Sequence, residues 1–378
     1  MTSPFDPTPA LEGARDIASP EAFDALLESI EDNGLWILDT EFERTDTYYP
    51  RLALIQSAVA GQVTLLDPLT LDGAQRARLR TLLERDDILK VLHACGEDLE
   101  ALAHFFEATP AGIFDTQLGA AFLGHRWGLG YGALVETLLG AVVEKDETRS
   151  NWLQRPLTAA QRRYACLDVI YLEALWPALR DALDEKGRWA WAAAESEALL
   201  QDALARHDGA RAWLGLKSAP LQNRRTQAVL RVLAAWREKT AQSLDRPRGR
   251  VLKDEHLLAL AKAPGAPERW ASLEIPPGAL RRWGEEWKAL LGPLASQPEA
   301  ELPPPVPAPP GREAQGVMKA LKAVAQAAAE REGLAPELLG RKKLLEAFYL
   351  EDTPPEPFLG WRAPLVLEAL QAAKAGAA

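Results

Sequence analysis

Leu35-Trp36-Ile37-Leu38-Asp39-Thr40-Glu41-Phe42 is the stretch on which the reading of this chain turns. Four apolar residues run into an Asp-x-Glu pair. Residues two apart on a strand project from the same face, so Asp39 and Glu41 stand side by side at the end of a buried strand. Further along, Tyr164-Ala165-Cys166-Leu167-Asp168 lies inside residues 159–175, where apolar side chains recur at helical spacing. Four apart, Tyr164 and Asp168 occupy one helical stripe. Between these pairs, Asp98 sits in the first turn of a helix expected over Glu97 to Phe106.

Each piece alone has an ordinary explanation. An isolated Asp-x-Glu is most often a solvated strand end, an acid in a first helical turn complements the helix dipole, and a lone tyrosine is commonly half-buried. Asp168 resists such a reading, because an unpaired carboxylate in an apolar helical stretch is costly. Together, four acids and a tyrosine suit phosphodiester hydrolysis by two divalent cations, which neutralise charge on the attacked phosphate and the departing oxygen. Hard cations such as Mg2+, with Mn2+ as an alternative, prefer carboxylate oxygens. The five histidines and two cysteines show no zinc-ligand spacing. A tyrosine, with an ordinary pKa of about 10, is a poor base at pH 7, so Tyr164 is expected to orient the attacking water.

The segments Leu38-Asp39-Thr40-Glu41-Phe42, Thr47-Tyr48-Tyr49-Pro50-Arg51-Leu52 with Leu54-Ile55-Gln56, His93-Ala94-Cys95-Gly96-Glu97-Asp98-Leu99, Asp115-Thr116-Gln117 and Tyr164-Ala165-Cys166-Leu167-Asp168 resemble the motifs of ribonuclease D. Glu147-Thr148-Arg149-Ser150-Asn151-Trp152 and Arg155-Pro156-Leu157-Thr158 resemble the run before that family's last catalytic helix. The family is a tyrosine-type branch of the DEDD 3′→5′ exonucleases. The resemblance implies an α/β ribonuclease H-like exonuclease domain over residues 12–186. It also implies Asp39, Glu41, Asp98 and Asp168 as metal ligands, with Tyr164 positioning the water. Motif position further marks Thr40, Phe42, Gln56, His93 and Arg155 as candidate substrate contacts.

Pattern alone agrees with such a fold. Leu35 to Phe42, Leu52 to Ala58, Gln62 to Leu66 and Ile88 to His93 read as strands, the first three an antiparallel meander with turn signals at Tyr49-Pro50 and Ala60-Gly61. Thr116 to Leu123 and Tyr131 to Leu139 read as helices, and Thr158 as the cap of the helix carrying Tyr164. Gly128, Gly130 and Gly132 follow no strand of dinucleotide-fold spacing, and no phosphate-binding Gly-Lys-Ser/Thr loop occurs, so no nucleotide cofactor is expected. Cys95 and Cys166 are too few for a disulfide framework. Without a signal-peptide pattern or a run of about 18 apolar residues, a soluble, cytoplasmic chain away from membranes, acting as a monomer, is expected.

The net charge of −11 opposes binding to a polyanion, but it is uneven. Residues 1–210 hold 18 Lys+Arg against 35 Asp+Glu, whereas residues 211–300 hold 16 against 9. Catalysis and grip on RNA are therefore expected in different domains. After a helical connector at 187–216, Trp236-Arg237-Glu238, Arg250-Val251-Leu252-Lys253-Asp254-Glu255 and Ala279-Leu280-Arg281-Arg282-Trp283-Gly284 resemble the HRDC domain, a helical nucleic-acid-binding module, over residues 217–296. The helix around Trp236 is expected to turn its arginines to solvent, and Arg248 and Arg250 in the basic loop to contact phosphate. A proline-rich linker at 297–311 and a second, divergent HRDC-like domain at 312–378 complete the expected all-α half. The activity implied is 3′→5′ exoribonuclease, releasing nucleoside 5′-monophosphates from tRNA precursors and other small structured RNAs with free 3′ ends. A DNA repair or proofreading exonuclease and a non-catalytic nucleic-acid-binding scaffold are the alternatives.

Overall fold

The computed structural model describes residues 5–143 and 150–376; Glu147, Thr148 and Arg149 of the motif run lie outside them. Two compact units result. The first comprises residues 1–43, 50–204 and 316–378, the second 44–49 and 205–315.

The first unit is built on a six-stranded mixed sheet. In chain order its strands are β1 (Arg15–Asp16), β2 (Leu35–Glu43), β3 (Arg51–Val59), β4 (Gln62–Leu66), β5 (Leu89–Leu92) and β6 (Ile113–Asp115). They lie side by side as β1-β4-β3-β2-β5-β6. β2, β3 and β4 form the expected antiparallel meander, and β5 and β6 run parallel to β2. The two-residue β1 and three-residue β6 are too short to carry an alternating pattern, so periodicity missed both. Alternation along β2 sends Ile37 into one apolar layer and Trp36 and Leu38 into the other.

Long helices cover both layers. Helix Ala159–Glu185 begins with a capping box in which Thr158 and Gln161 satisfy each other's backbone amides. It lies against β2, β3 and β4. Helix Gly96–Phe106 packs on the opposite layer through Leu99 and Leu102. Among the described residues, no helix is long and apolar enough to cross a membrane.

The segment from 316 onward does not divide from the exonuclease where the sequence suggested. Leu321, Ala325, Leu338 and Phe358 share one core with Phe122, Leu175 and Leu179. The Ala335 amide donates to the Ala121 carbonyl at 2.9 Å, and Arg188 donates to the carbonyls of Phe122, Glu332 and Gly333. An alanine-rich helical pattern reports a buried face but not its partner.

The second unit is helical. Helices Arg224–Ser243, Asp254–Lys262 and Pro277–Ser296 enclose a core in which Trp236 meets Trp287 edge to face at 5.2 Å. The arginines of the first helix are not all solvent-facing as expected. Arg237 is buried, donating to the Leu252 carbonyl and to Asp254, each at 2.7 Å. Arg224 and Arg231 donate to carbonyls of Leu302, Pro303 and Pro304, so the proline-rich stretch is strapped along this helix instead of standing free. Residues 44–49 also belong here, and the Tyr49-Pro50 signal is more than a hairpin turn. Tyr48 is 2% exposed, its hydroxyl donating to Glu238.

Candidate active site

The expected acids gather along β2, though Asp39 and Glu41 lie inside the strand and not at its end as the sequence suggested, because pairing with β3 carries β2 on to Glu43. One carboxylate oxygen each from Asp39, Glu41 and Asp168 lies within 4.8 Å of the others, the two strand acids partly open to solvent and Asp168 buried. Asp39 and Glu41 face the long helix by strand alternation, and Asp168 projects from that helix toward them. Asp98 reaches the site from the first turn of helix Gly96–Phe106 and accepts a hydrogen bond from Thr40, whose side chain points to the other face of β2. Thr40 thus holds Asp98 instead of standing free for a ligand.

Electrostatics set this cluster apart from a solvated acidic patch. Lost hydration, then the charges of Asp98, Asp168 and Glu41, hold the Asp39 carboxyl well above its ordinary range. Lost hydration and repulsion from Asp168 and Asp98 push Glu41 up to about 9. Asp168 is raised to about 8, chiefly by burial and against the hydrogen bond from Tyr164, and Asp98 to about 6 by burial. Asp39, Glu41 and Asp168 are each raised in part by charges from within the cluster, whereas the charges acting on Asp98 are those of Asp115 and Glu97. Such a donor set fits divalent cations: hard oxygens close together, short of positive charge. Asp39, Glu41 and Asp168 lie close enough together to hold one, and Asp98 stands outside that group of three.

Tyr164, one helical turn before Asp168, is hydrogen-bonded to that carboxylate and lies 5.9 Å, centroid to centroid, from Trp152. Burial, reinforced by Asp168, raises its pKa, so the hydroxyl keeps its proton and can donate or orient but not act as a base at neutral pH.

The other candidates take up supporting positions. His93 stands 3.0 Å from the Thr116 hydroxyl through Nδ1 and 3.1 Å from the Leu129 carbonyl through Nε2, and burial lowers its pKa. The neutral ring then donates from Nε2 and accepts at Nδ1. Its edge meets Tyr131, whose hydroxyl donates to the backbone carbonyls of Leu167 and Asp168. The sequence reading missed Tyr131; its one signal was a bulky aromatic among Gly128, Gly130 and Gly132. Phe42 packs partly buried under the Trp36 layer, and Gln56 is wholly buried opposite Asp39 on β3.

Two expected substrate arginines are held by the protein itself. The ladder shifts register after Glu41, which pairs with Leu54 while Phe42 pairs with Leu52, leaving Ala53 as an extra residue. Arg155 donates to that Ala53 carbonyl at 2.6 Å and to the Trp152 carbonyl at 2.8 Å, and it pairs with Asp67. Arg248 forms a two-pronged ion pair with Glu238, which is 1% exposed. Arg250 is exposed and pairs with Asp46 at the surface. Beside it, a cleft of about 320 Å³ is lined by Arg250, Lys253, His256, Arg282 and Trp283.

Residues 15–184 match the family model described as 3′-5′ exonuclease, and residues 226–291 match that of the HRDC domain. Curated ribonuclease D of Pseudomonas paraeruginosa is 39% identical over 88% of this chain and 90% of its own length. That of Acidiphilium cryptum is 35% identical over 96% and 92%. The crystal structure of Escherichia coli RNase D, an exoribonuclease involved in structured RNA processing, aligns with a TM-score of 0.84 at 31% identity, covering 96% of this chain and 98% of that one. The chain belongs to the ribonuclease D family and is a 3′→5′ exoribonuclease.

Proposed function

We propose that this exoribonuclease works with two divalent cations, Mg2+ first and Mn2+ as a substitute. We further propose that it releases nucleoside 5′-monophosphates in trimming the 3′ ends of tRNA precursors and other small structured RNAs. The observation that carries the metal reading is the cluster of Asp39, Glu41 and Asp168, joined by Asp98, whose charges oppose one another. When bound, the cations offset charge on the phosphate and activate water. The chain's own part is to hold the four carboxylates by strand, helix and the Thr40 bond, to present a protonated Tyr164 hydroxyl beside them, and to orient the scissile phosphate between. The substrate reading rests on family membership and on the cationic cleft of the second unit. Comparing rates on a 3′-extended tRNA, an unstructured RNA and a DNA of equal length tests it. Preference for the DNA would replace the RNA-processing role with a repair or proofreading one.

Tyr164→Phe keeps the ring against Trp152 and removes the hydroxyl. The expected outcome is a kcat lower by roughly 10- to 1000-fold with KM nearly unchanged, measured by steady-state kinetics on an oligoribonucleotide. A variant that unfolds more readily while its folded fraction turns over normally would make Tyr164 a packing residue.

The division of labour has its own test. Arg250→Glu with Lys253→Glu should weaken binding of structured RNA and lower the slope of log affinity against log salt by roughly 0.7–0.9 for each phosphate no longer neutralised. Hydrolysis of a dinucleotide should be unchanged. Arg248 is the wrong residue for this experiment, since reversing it would strand the buried Glu238 carboxylate. An unchanged salt slope would assign the second unit to packing or to a protein partner.

A further inference from the structure

Gln56 is the anomaly of the catalytic layer. It is 0% exposed, and neither its carboxamide nitrogen nor its oxygen has a hydrogen-bond partner among the described residues. Its neighbours along the same face of β3 are Leu54 and Ala58, and across the ladder toward β4 lies Leu65. An apolar side chain would fill this place without penalty, whereas burying an unsatisfied amide costs on the order of 1–3 kcal/mol. The remaining cross-strand neighbour is Asp39, in direct register. Side chains so opposed share a face, with their Cβ atoms about 4.5–5.5 Å apart. A carboxamide therefore stands within reach of one of the acids that would hold a cation, and behind it from solvent. Being wholly buried, Gln56 is not placed to touch RNA.

We propose that Gln56 is a positioning residue of the metal site: its carboxamide N–H₂ is the donor that fixes the Asp39 carboxylate when a divalent cation is bound. The donor half of the amide is the half that fits, because an ionised carboxylate only accepts. With one Asp39 oxygen held by a cation, the other would be left to accept from the Gln56 amide. Carboxylates that ligate metals are commonly oriented by such hydrogen bonds, and removing them typically weakens metal binding 10- to 100-fold. The idea rests on the metal reading of the acids, and its test separates the two.

Gln56→Met preserves length and shape but lacks the donor. Mn2+ binding to the full-length protein should be measured by titration calorimetry, alongside the melting temperature of the metal-free protein. The expected result is Mn2+ affinity weakened by roughly 10- to 100-fold, with the metal-free melting temperature unchanged or raised. Gln56→Asn, which keeps the amide but withdraws it from Asp39, should weaken Mn2+ binding in the same way. Equal Mn2+ affinity in wild type and both variants would overturn the proposal, and so would a lowered melting temperature or loss of fold with Mn2+ affinity intact in Gln56→Asn. A wild-type protein that binds no Mn2+ would instead strike at the metal reading itself.

Discussion

Asp39→Asn and Asp168→Asn will each leave a folded protein whose exonuclease turnover has fallen by roughly 1000-fold or more. Both residues belong to the three-carboxylate cluster, and cations in such sites stabilise the transition state by several kcal/mol, which converts to that factor. The fold should tolerate the change because these carboxyls repel one another. An acid whose folded-state pKa is raised costs stability as pH climbs from its ordinary value toward the raised one. For Asp168 that window closes at about 8. Metal-free wild type should accordingly melt lower at pH 8 than at pH 5 on account of this group, and Asp168→Asn should flatten the difference. Melting curves at both pH values, paired with single-turnover rates on 3′-labelled RNA, check the two halves. Near-normal turnover at saturating Mg2+ would remove the residue from the catalytic set.

The second large effect lies far from the chemistry. Arg362, 2% exposed, forms a two-pronged ion pair with Glu195 and donates to the Leu338 carbonyl at 2.6 Å. The pair joins helix Trp189–Leu204 to the carboxyl-terminal segment, with Trp361 stacked on Trp191 at 5.3 Å. Against its burial, the hydrogen bonds and charge of Arg362, helped by the Trp361 indole N–H and the charge of Arg341, hold Glu195 below its usual carboxylate range. Arg362→Met should therefore destabilise the first unit by up to about 3–5 kcal/mol, since it removes the two-pronged partner of a buried carboxylate and leaves only the Trp361 indole N–H at 3.1 Å and Arg341 at 3.9 Å to offset the charge. Denaturant unfolding followed by tryptophan fluorescence would measure it. Removing residues 316–378 should be more damaging still, because it strips the shared core from Phe122, Leu175 and Leu179. A change under 1 kcal/mol in Arg362→Met would mean that the segment is only loosely held.

What the sequence revealed follows from what is local. Asp39 with Glu41, and Tyr164 with Asp168, were legible because strand and helix periods decide which residues share a face. Asp98 was legible as a residue but not as a geometry: it is held through Thr40, which lies on the face of β2 turned away from its own neighbours. The arginines show the limit most clearly. Composition places positive charge in the second unit, yet only the folded chain shows Arg237 and Arg248 spent on Asp254 and Glu238, and Arg155 spent on a bulge carbonyl. Tyr48 is similar, since its partner Glu238 lies 190 residues away and no local pattern carries that separation. Gln56 stood in a recognisable motif, but its burial and lack of a partner emerge only when β3 is laid beside β2.

One measurement bears most directly on the central claim: wild type and Asp39→Asn incubated with a 3′-extended tRNA carrying a 5′ label, in Mg2+ and in EDTA, with products resolved by length and released nucleotides identified by mass. The account predicts stepwise shortening from the 3′ end and nucleoside 5′-monophosphates for wild type in Mg2+, and neither in EDTA nor with Asp39→Asn. Shortening that survives EDTA, or that proceeds in Asp39→Asn at the wild-type rate, would contradict it.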